Sequence, residues 1–169
     1  EHARRLSAIV GDWVPPLTPA LQAQADDALD GIISRSADGT AITKLDLDHI
    51  DWSCQSTYNP GMVVMQLSRY HMLAPLASAY RETGDERYAQ SARAYIAAFL
   101  RDHPMPNGWQ PEPYDGATQY DLRVGCAENA GWLGTLPVFL SSPAFDDDFF
   151  AAMLAAVRAK LAYLSNNIY

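Results

Sequence analysis

The residues best suited to chemistry lie on a predicted helix from Ala117 to Leu140, where polar side chains occur among small ones. At helical spacing Gln119 and Arg123 share one broad face, and Asn129 lies on its flank. An arginine on such a face is costly to bury unless its guanidinium pairs with an anion. The sequence leaves two kinds of anion open: an acid group of a substrate, or a protein carboxylate such as Glu128 or Asp121.

Aromatic residues form a second candidate group on the segment from His103 to Gly116, which holds four prolines and two glycines and is therefore predicted to be a loop. Trp109 and Tyr114 on this loop are of a type that can stack on the C–H faces of sugar rings. The same two side chains could instead hold a long loop onto the core.

Polar residues upstream complete the candidate set. Asn59 ends an irregular segment that concentrates aromatic and polar side chains, and such a segment can line a cleft or simply cap the core. Arg69 and His71 precede Pro75, which we expect inside a helix, where it removes a backbone hydrogen bond and kinks the chain. A kink there can direct these polar groups into a pocket, although kinks also arise from packing.

The elements that must position these residues are helices. Apolar residues recur at helical spacing on both sides of Thr83-Gly84-Asp85-Glu86, so residues 67–100 are predicted to form two antiparallel helices. Gly84 is expected to end the first helix and Asp85 to cap the second. Another helix is predicted from Thr18 to about Ser36. A last helix follows the predicted cap formed by three consecutive aspartates, Asp146, Asp147 and Asp148.

The predicted fold class is all-α, built from antiparallel helical hairpins in a single domain. Within it, residues 1–39 form lead-in helices, residues 40–60 an irregular segment with an extended stretch or a pair of short strands, and residues 61–169 the hairpins. Four or five helices in an open array leave apolar faces exposed at both ends. We therefore expect part of a longer helical toroid or solenoid, or a domain whose open edge is covered by a partner.

Composition narrows the possible partners. The chain has 169 residues, 49% of them hydrophobic, and a formal net charge of -8, which disfavours nucleic-acid binding through phosphate contacts. A local group of arginines can still bind an anionic sugar polymer. Cys54 and Cys126 have no metal-ligand spacing and are interpreted as free thiols or, in an exported protein, one disulfide. No metal, no cofactor and no membrane span is predicted.

The order of the motifs resembles the N-terminal domain of heparinase II/III-type polysaccharide lyases, a group that includes alginate lyases. The motifs are IDW, TYNP, LSRYH, AYRETGDERYA, a loop with Trp109, DLRVGCAENAGW and LPVFLSSPAF, between Ile50 and Tyr169. No single motif is specific, but the ordered set is considerably more specific than its parts. Pro75, Gly125 and Cys126 depart from the family pattern.

The resemblance implies part of an (α/α) toroid, incomplete in this chain, and β-elimination on a uronic-acid polysaccharide of heparin, heparan sulfate or alginate type. This chemistry needs a group that neutralises the uronate, a base and an acid. The family's catalytic Asn or His and Tyr belong to hairpins beyond Tyr169, so no catalytic residue is assigned here and the chain alone is expected to be inactive. The substrate-binding candidates are Arg123, Gln119, Asn129, Trp132, Trp109, Asn59, Arg69 and His71.

The resemblance also implies partners and a location. The expected partners are an anionic polysaccharide or oligosaccharide, together with the remainder of a parent polypeptide or a partner subunit. The expected location is periplasmic or secreted. Two other functions remain open. One is a non-catalytic helical-repeat module that binds glycans or proteins. The other is an inverting glycoside hydrolase on the same toroid, using two carboxylates separated by roughly 6.5–9.5 Å from among Glu112, Asp115, Asp121 and Glu128.

Overall fold

The computed structural model describes residues 14–35, 41–50, 71–102 and 131–167. In order, the elements are α1 (Pro19–Leu29), β1 (Ile32–Arg35), β2 (Ala41–Lys44), α2 (Leu73–Thr83), α3 (Glu86–Asp102), α4 (Trp132–Phe139) and α5 (Asp147–Asn167). Helices dominate the described residues, where the two strands form a sheet with each other alone, so the all-α prediction is confirmed.

Helix α1 begins as predicted. The side chain of Thr18 accepts a hydrogen bond from the backbone N–H of Leu21 (3.2 Å), and Pro19 occupies the first turn, where its missing N–H costs nothing. The predicted end near Ser36 is wrong, because the helix stops at Leu29 and β1 follows directly.

Gly31 explains this early stop. Its φ of 74° lies in the left-handed region, and an added Cβ would meet the backbone oxygen of Leu45 at 2.5 Å. The backbone N–H of Leu45 donates to the carbonyl of Gly31 (2.8 Å), which extends the pairing of the two strands. Beyond the turn, β-branched Ile32 and Ile33 favour a strand. Of the extended stretch or pair of short strands predicted within residues 40–60, the described part contains one strand, β2, and its partner β1 comes from residues assigned to the helix.

The strands are antiparallel, with Ile32 opposite Lys44 and Arg35 opposite Ala41. Register irregularities fall on both sides of Ser34. Such a two-stranded hairpin is marginal by itself, and here β1 also packs against α1.

Helices α2 and α3 form the predicted hairpin. Gly84 adopts the left-handed conformation (φ 67°), and its N–H donates to the carbonyl of Tyr80 (2.8 Å). Asp85 accepts a hydrogen bond from the N–H of Arg87 (3.0 Å), as expected of a cap. Pro75, however, lies in the first turn of α2 rather than in its interior. Helix N–H groups in that turn have no intrahelical partner, so Pro75 removes no hydrogen bond from the helix.

The predicted continuous helix across residues 117–140 is also wrong in part. Helix α4 begins only at Trp132, because Gly131 has extended backbone angles (φ -82°, ψ -158°). Thr135 donates from both its backbone N–H (3.2 Å) and its hydroxyl (2.9 Å) to the Gly131 carbonyl, which holds this first turn. The helix ends before Ser141-Ser142-Pro143, as predicted.

Helix α5 agrees with the prediction. Asp146 caps it by accepting from the N–H of Phe149 (2.8 Å), and Asp147 and Asp148 lie in its acidic first turn. Phe149, Met153 and Val157 on this helix are buried, whereas Leu154 is 40% exposed.

Helix α2 lies at the centre of the fold, where it packs against α1, α3 and α4. Leu73, Leu76 and Ala77 on it are fully buried. A series of aromatic rings continues this core toward α5: Tyr80 contacts Phe139 (centroids 5.8 Å apart), followed by Phe145 and Phe149. Contacts of this kind add to the free energy gained by burying the rings.

Candidate functional site

The helices run roughly parallel or antiparallel to one another, so their termini meet at two opposite ends of the fold. Helix α3 is antiparallel to α2 because only Gly84 and Asp85 join them. Helix α4 starts at Trp132, whose ring centroid lies 5.7 Å from that of Phe99 near the end of α3. It ends at Phe139, whose ring contacts that of Tyr80 near the end of α2. Helices α2 and α4 therefore run the same way. We call the end with residues 71–73, 99–102 and 131–132 the upper end, and the end with residues 80–88 and 139–146 the lower end.

The lower end is fixed by buried and half-buried hydrogen bonds. Glu86 accepts from the hydroxyl of Ser142 (2.6 Å) through one oxygen and from the hydroxyl of Tyr80 (3.1 Å) through the other. Charged acceptors make stronger hydrogen bonds than neutral ones. One carboxylate thus joins the start of α3 to the end of α2 and to the connection between α4 and α5.

The chain before α1 is also attached near the lower end. The guanidinium of Arg81 donates to the carbonyls of Val14 (2.8 Å) and Pro15 (2.9 Å), and the hydroxyl of Ser78 donates to Pro15 as well (2.8 Å). These donors satisfy backbone oxygens outside any helix or strand.

Tyrosine hydroxyls connect α1 to α3. The hydroxyl of Tyr88 donates to Asp26 (2.8 Å), and the hydroxyl of Tyr95 donates to the carbonyl of Ala28 (2.9 Å). Burial, followed by the hydrogen bond to Asp26, raises the pKa of Tyr88. Burial alone raises the pKa of Tyr95 strongly. Both hydroxyls therefore act as neutral hydrogen-bond donors. Because Asp26 pairs with Tyr88 and the later Ala28 with the later Tyr95, α1 runs in the same direction as α3, from the lower end toward the upper end.

Charged groups from two elements meet at the upper end. Arg101 makes two hydrogen bonds to Asp102 (2.7 and 2.9 Å), which raise the pKa of its guanidinium, with a smaller contribution from the carboxylate of Asp48. Asp46 accepts from the backbone N–H of Asp48 (3.0 Å), and Nδ1 of His49 lies 3.5 Å from Asp46. The turn after β2 therefore lies near the last turn of α3, and Asp48 is the carboxylate of this turn that acts on Arg101.

Two of the predicted substrate-binding residues fall within the described structure, and both lie at the upper end. His71 is exposed in the turn directly before α2. Trp132 is 1% exposed and packs edge-on against Phe99, which is a core position. The other six lie outside the described residues: Asn59, Arg69, Trp109, Gln119, Arg123 and Asn129. So do the four carboxylates considered for a hydrolase, and so do both cysteines.

The six candidates nevertheless share a topological property. They belong to residues 51–70 and 103–130. The first stretch leaves from Ile50 and returns at His71, and the second leaves from Asp102 and returns at Gly131. All four of these flanking residues lie at the upper end, so both stretches are attached there at each of their ends. Connections carried on a rigid helical scaffold are common locations of binding residues.

The sequence analysis did not predict that both stretches are attached to the same end of the domain. The lengths of the connections between helices could have indicated it. Connections at the lower end are short, with Gly84-Asp85 between α2 and α3 and residues 140–146 between α4 and α5. At the upper end, the connections between helices, from α1 to α2 and from α3 to α4, span more than twenty residues each. Alternation of short and long connections in a hairpin array places the long ones at one end, because successive antiparallel helices alternate in direction.

Within the described ranges, no three His, Cys, Asp or Glu side chains are grouped so as to hold a metal ion. In the same part of the chain, no helix has the length and apolar character that crossing a membrane requires.

Comparison with protein-family models shows the family of this chain. The family described as Heparinase II/III N-terminus matches residues 16–169, which includes every described element. Comparison with curated proteins and with solved structures gave no significant match.

Proposed function

The chain belongs to the heparinase II/III N-terminus family, and we propose that it is the N-terminal helical domain of a polysaccharide lyase whose upper end forms one wall of the substrate cleft. The substrate class is a uronic-acid-containing polysaccharide or oligosaccharide, and the location is periplasmic or extracellular. The observation that carries the proposal is the attachment of both candidate-bearing stretches to the upper end of a domain of this family.

β-Elimination defines what the complete enzyme must supply. A base removes the proton at C5 of the uronate, and the electron pair is stabilised by a group that neutralises the adjacent carboxylate. The C4–O bond then breaks as an acid protonates the leaving oxygen, so a C4=C5 double bond is formed. In this proposal the base and the acid lie on further hairpins of the family's toroid, and this domain binds and orients the sugar chain.

Arg123 is the main proposed contact. A planar guanidinium donates two parallel hydrogen bonds to a carboxylate or sulfate, and Gln119, four residues earlier in sequence, is proposed as a companion contact. Asn129, Asn59, Arg69 and His71 are further proposed polar contacts, and Trp109 a stacking surface. For Trp132, burial against Phe99 favours a supporting role in the core.

The test is binding of an unsulfated oligouronate to the Arg123→Ala variant. Loss of a charge-assisted hydrogen bond predicts an affinity at least about tenfold lower with little change in the unfolding midpoint. Arg158→Ala is the matched control, since Arg158 is exposed on α5, and its affinity should stay within about twofold. Unchanged affinity together with lower stability in Arg123→Ala would favour a non-catalytic helical-repeat module in which Arg123 is structural.

A second measurement separates binding from catalysis. The chain alone should form no unsaturated product from alginate or heparan-type polymers, although it binds them. Turnover by the chain alone would contradict the proposal that base and acid lie elsewhere.

A further inference from the structure

Helix α5 contacts the rest of the described fold through one face. Phe149, Met153 and Val157 on this face are buried. The guanidinium carbon of Arg93 on α3 lies 4.5 Å from the centre of the Phe149 ring, and a guanidinium nitrogen lies 3.5 Å from a carboxylate oxygen of Asp146. Because the buried residues recur every four positions, they fix the rotation of the helix, and its opposite face is turned away from α3.

That opposite face of α5 is exposed and yet apolar. Ala151, Ala152, Leu154 and Ala155 are all exposed, and the exposed fraction of Leu154 is 40%. Residues 149–157 contain no polar side chain at all. A helix at a protein surface ordinarily carries charged or polar residues on its outward side. The outward side of α5 therefore has the composition of a face that packs against another element.

Charged residues lie at both ends of this face, with an acid at one end and a base at the other. Asp148 and Arg158 are each five positions from Met153. Both are exposed, and among the described residues no ion pair involves either of them. Spacings of three, four and three residues align Asp148, Ala151, Ala155 and Arg158 along the helix, and we call these four residues the outer stripe.

The outer stripe is complementary to a second copy of itself. When two α5 helices lie antiparallel with their Met153 residues at a two-fold axis, Asp148 of each copy faces Arg158 of the other. A two-fold interface requires this reciprocity, in which each residue of a pair meets the other residue of the same pair on the second copy. An unrelated partner would not require acid and base to be equally distant from one central residue.

The apolar residues match in the same register. Ala151 of each copy faces Ala155 of the other, and these short side chains let the two helix axes approach closely. Leu154 then packs over Ala152 of the other copy, which removes an exposed apolar side chain from water on both sides of the axis.

We propose that α5 forms the interface of a symmetric dimer, in which the outer stripes of two copies of this chain pack antiparallel about Met153. The face is about three helical turns long. It buries well under the ~800 Å² per partner of a standard interface. The dimer is therefore weak, and its population rises with protein concentration.

Sedimentation of the full chain over a hundredfold range of concentration measures the dissociation constant of this dimer. Leu154→Asp places a charge against Ala152 of the other copy and should raise the dissociation constant at least about tenfold. Leu133→Asp is the matched control, because Leu133 on α4 is 37% exposed and is the other exposed large apolar side chain of the described residues. It should leave the dissociation constant unchanged. Circular dichroism checks that both variants are folded.

Charge reversal tests the register. Asp148→Arg and Arg158→Asp should each raise the dissociation constant at least about threefold, since every dimer contains the pair twice and both pairs then carry like charges. The double variant, Asp148→Arg with Arg158→Asp, restores opposite charges in both pairs. Its dissociation constant should return to within about twofold of that of the unaltered chain.

Each alternative result overturns the proposal in a different way. A chain that stays monomeric at every concentration would show that a second copy does not cover this face. A dimer that Leu154→Asp leaves intact would be formed by another surface. Weakening by both single charge reversals without recovery in the double variant would contradict the antiparallel register.

Discussion

At the scale of single residues, Glu86 has the most connections. Its two oxygens accept from Ser142 and Tyr80, and Ser142 in turn accepts from the backbone N–H of Ala144 (3.1 Å). From the sequence, Glu86 is recognisable only as a negative charge at the start of a helix. Its long-range partner lies 56 positions away, a contact that neither helical periodicity nor capping rules can identify.

Glu86→Ala should lower the free energy of unfolding by about 1–3 kcal/mol, because it leaves the half-buried hydroxyl of Ser142 without its charged acceptor. Urea unfolding followed by circular dichroism measures this change. Glu82→Ala removes an exposed carboxylate with a 3.5 Å ion pair to Arg81, and its effect should stay within about 0.5 kcal/mol. Equal effects of the two substitutions would contradict the role assigned to Glu86.

The buried tyrosines predict how stability depends on alkaline pH. Burial holds the pKa of Tyr95 above the ordinary value of about 10. Its contribution to stability is therefore fully present below pH 10 and lost as the pH rises toward the raised pKa. Tyr95→Phe should be less stable near pH 8, since the hydrogen bond to Ala28 is gone, yet lose less stability between pH 9.5 and 11. The measurement is the urea midpoint of each protein as a function of pH. If the midpoints of the two proteins fall by the same amount between pH 9.5 and 11, Tyr95 is not the source of the pH dependence.

At the scale of elements, the sequence predicted the helices better than their boundaries. Periodicity and capping residues identified α1, the α2–α3 hairpin and α5. The errors arose where tertiary contacts override local patterns. Ile32 and Ile33 continue the apolar face of α1 in sequence, but the close approach of Gly31 to Leu45 turns the chain into β1 instead. At Gly131 an extended backbone interrupts an otherwise helical pattern.

Gly31 and Gly84 form a matched pair that tests this explanation. Both have positive φ, but an added Cβ at Gly31 meets the Leu45 oxygen at 2.5 Å, whereas at Gly84 nothing lies within 4 Å. Gly84→Ala should cost about 1–2 kcal/mol from left-handed strain alone. Gly31→Ala should cost clearly more, because the strands must also shift. Thermal and urea unfolding of both variants measure the difference, and equal losses would show that Leu45 is not the constraint.

At the scale of the whole molecule, the sequence predicted the fold class and the family but not the common location of the candidate residues. Arg123, Trp109 and Asn59 are candidates because of their side-chain chemistry; Asn59 belongs to residues 51–70, and the other two belong to residues 103–130. That these stretches are attached to one end follows from the directions of α2, α3 and α4, which depend on contacts such as Phe99 with Trp132. Residue types alone do not contain that information.

Binding of the sugar chain at the upper end can be measured by hydrogen–deuterium exchange with and without an unsulfated oligouronate. Bound ligand should slow exchange in peptides from residues 45–72 and 99–131. Peptides from residues 78–88 and 139–149 at the lower end should be unchanged, since their backbone is held by contacts that the ligand does not touch. Protection confined to the lower end, or spread equally over both ends, would contradict the account.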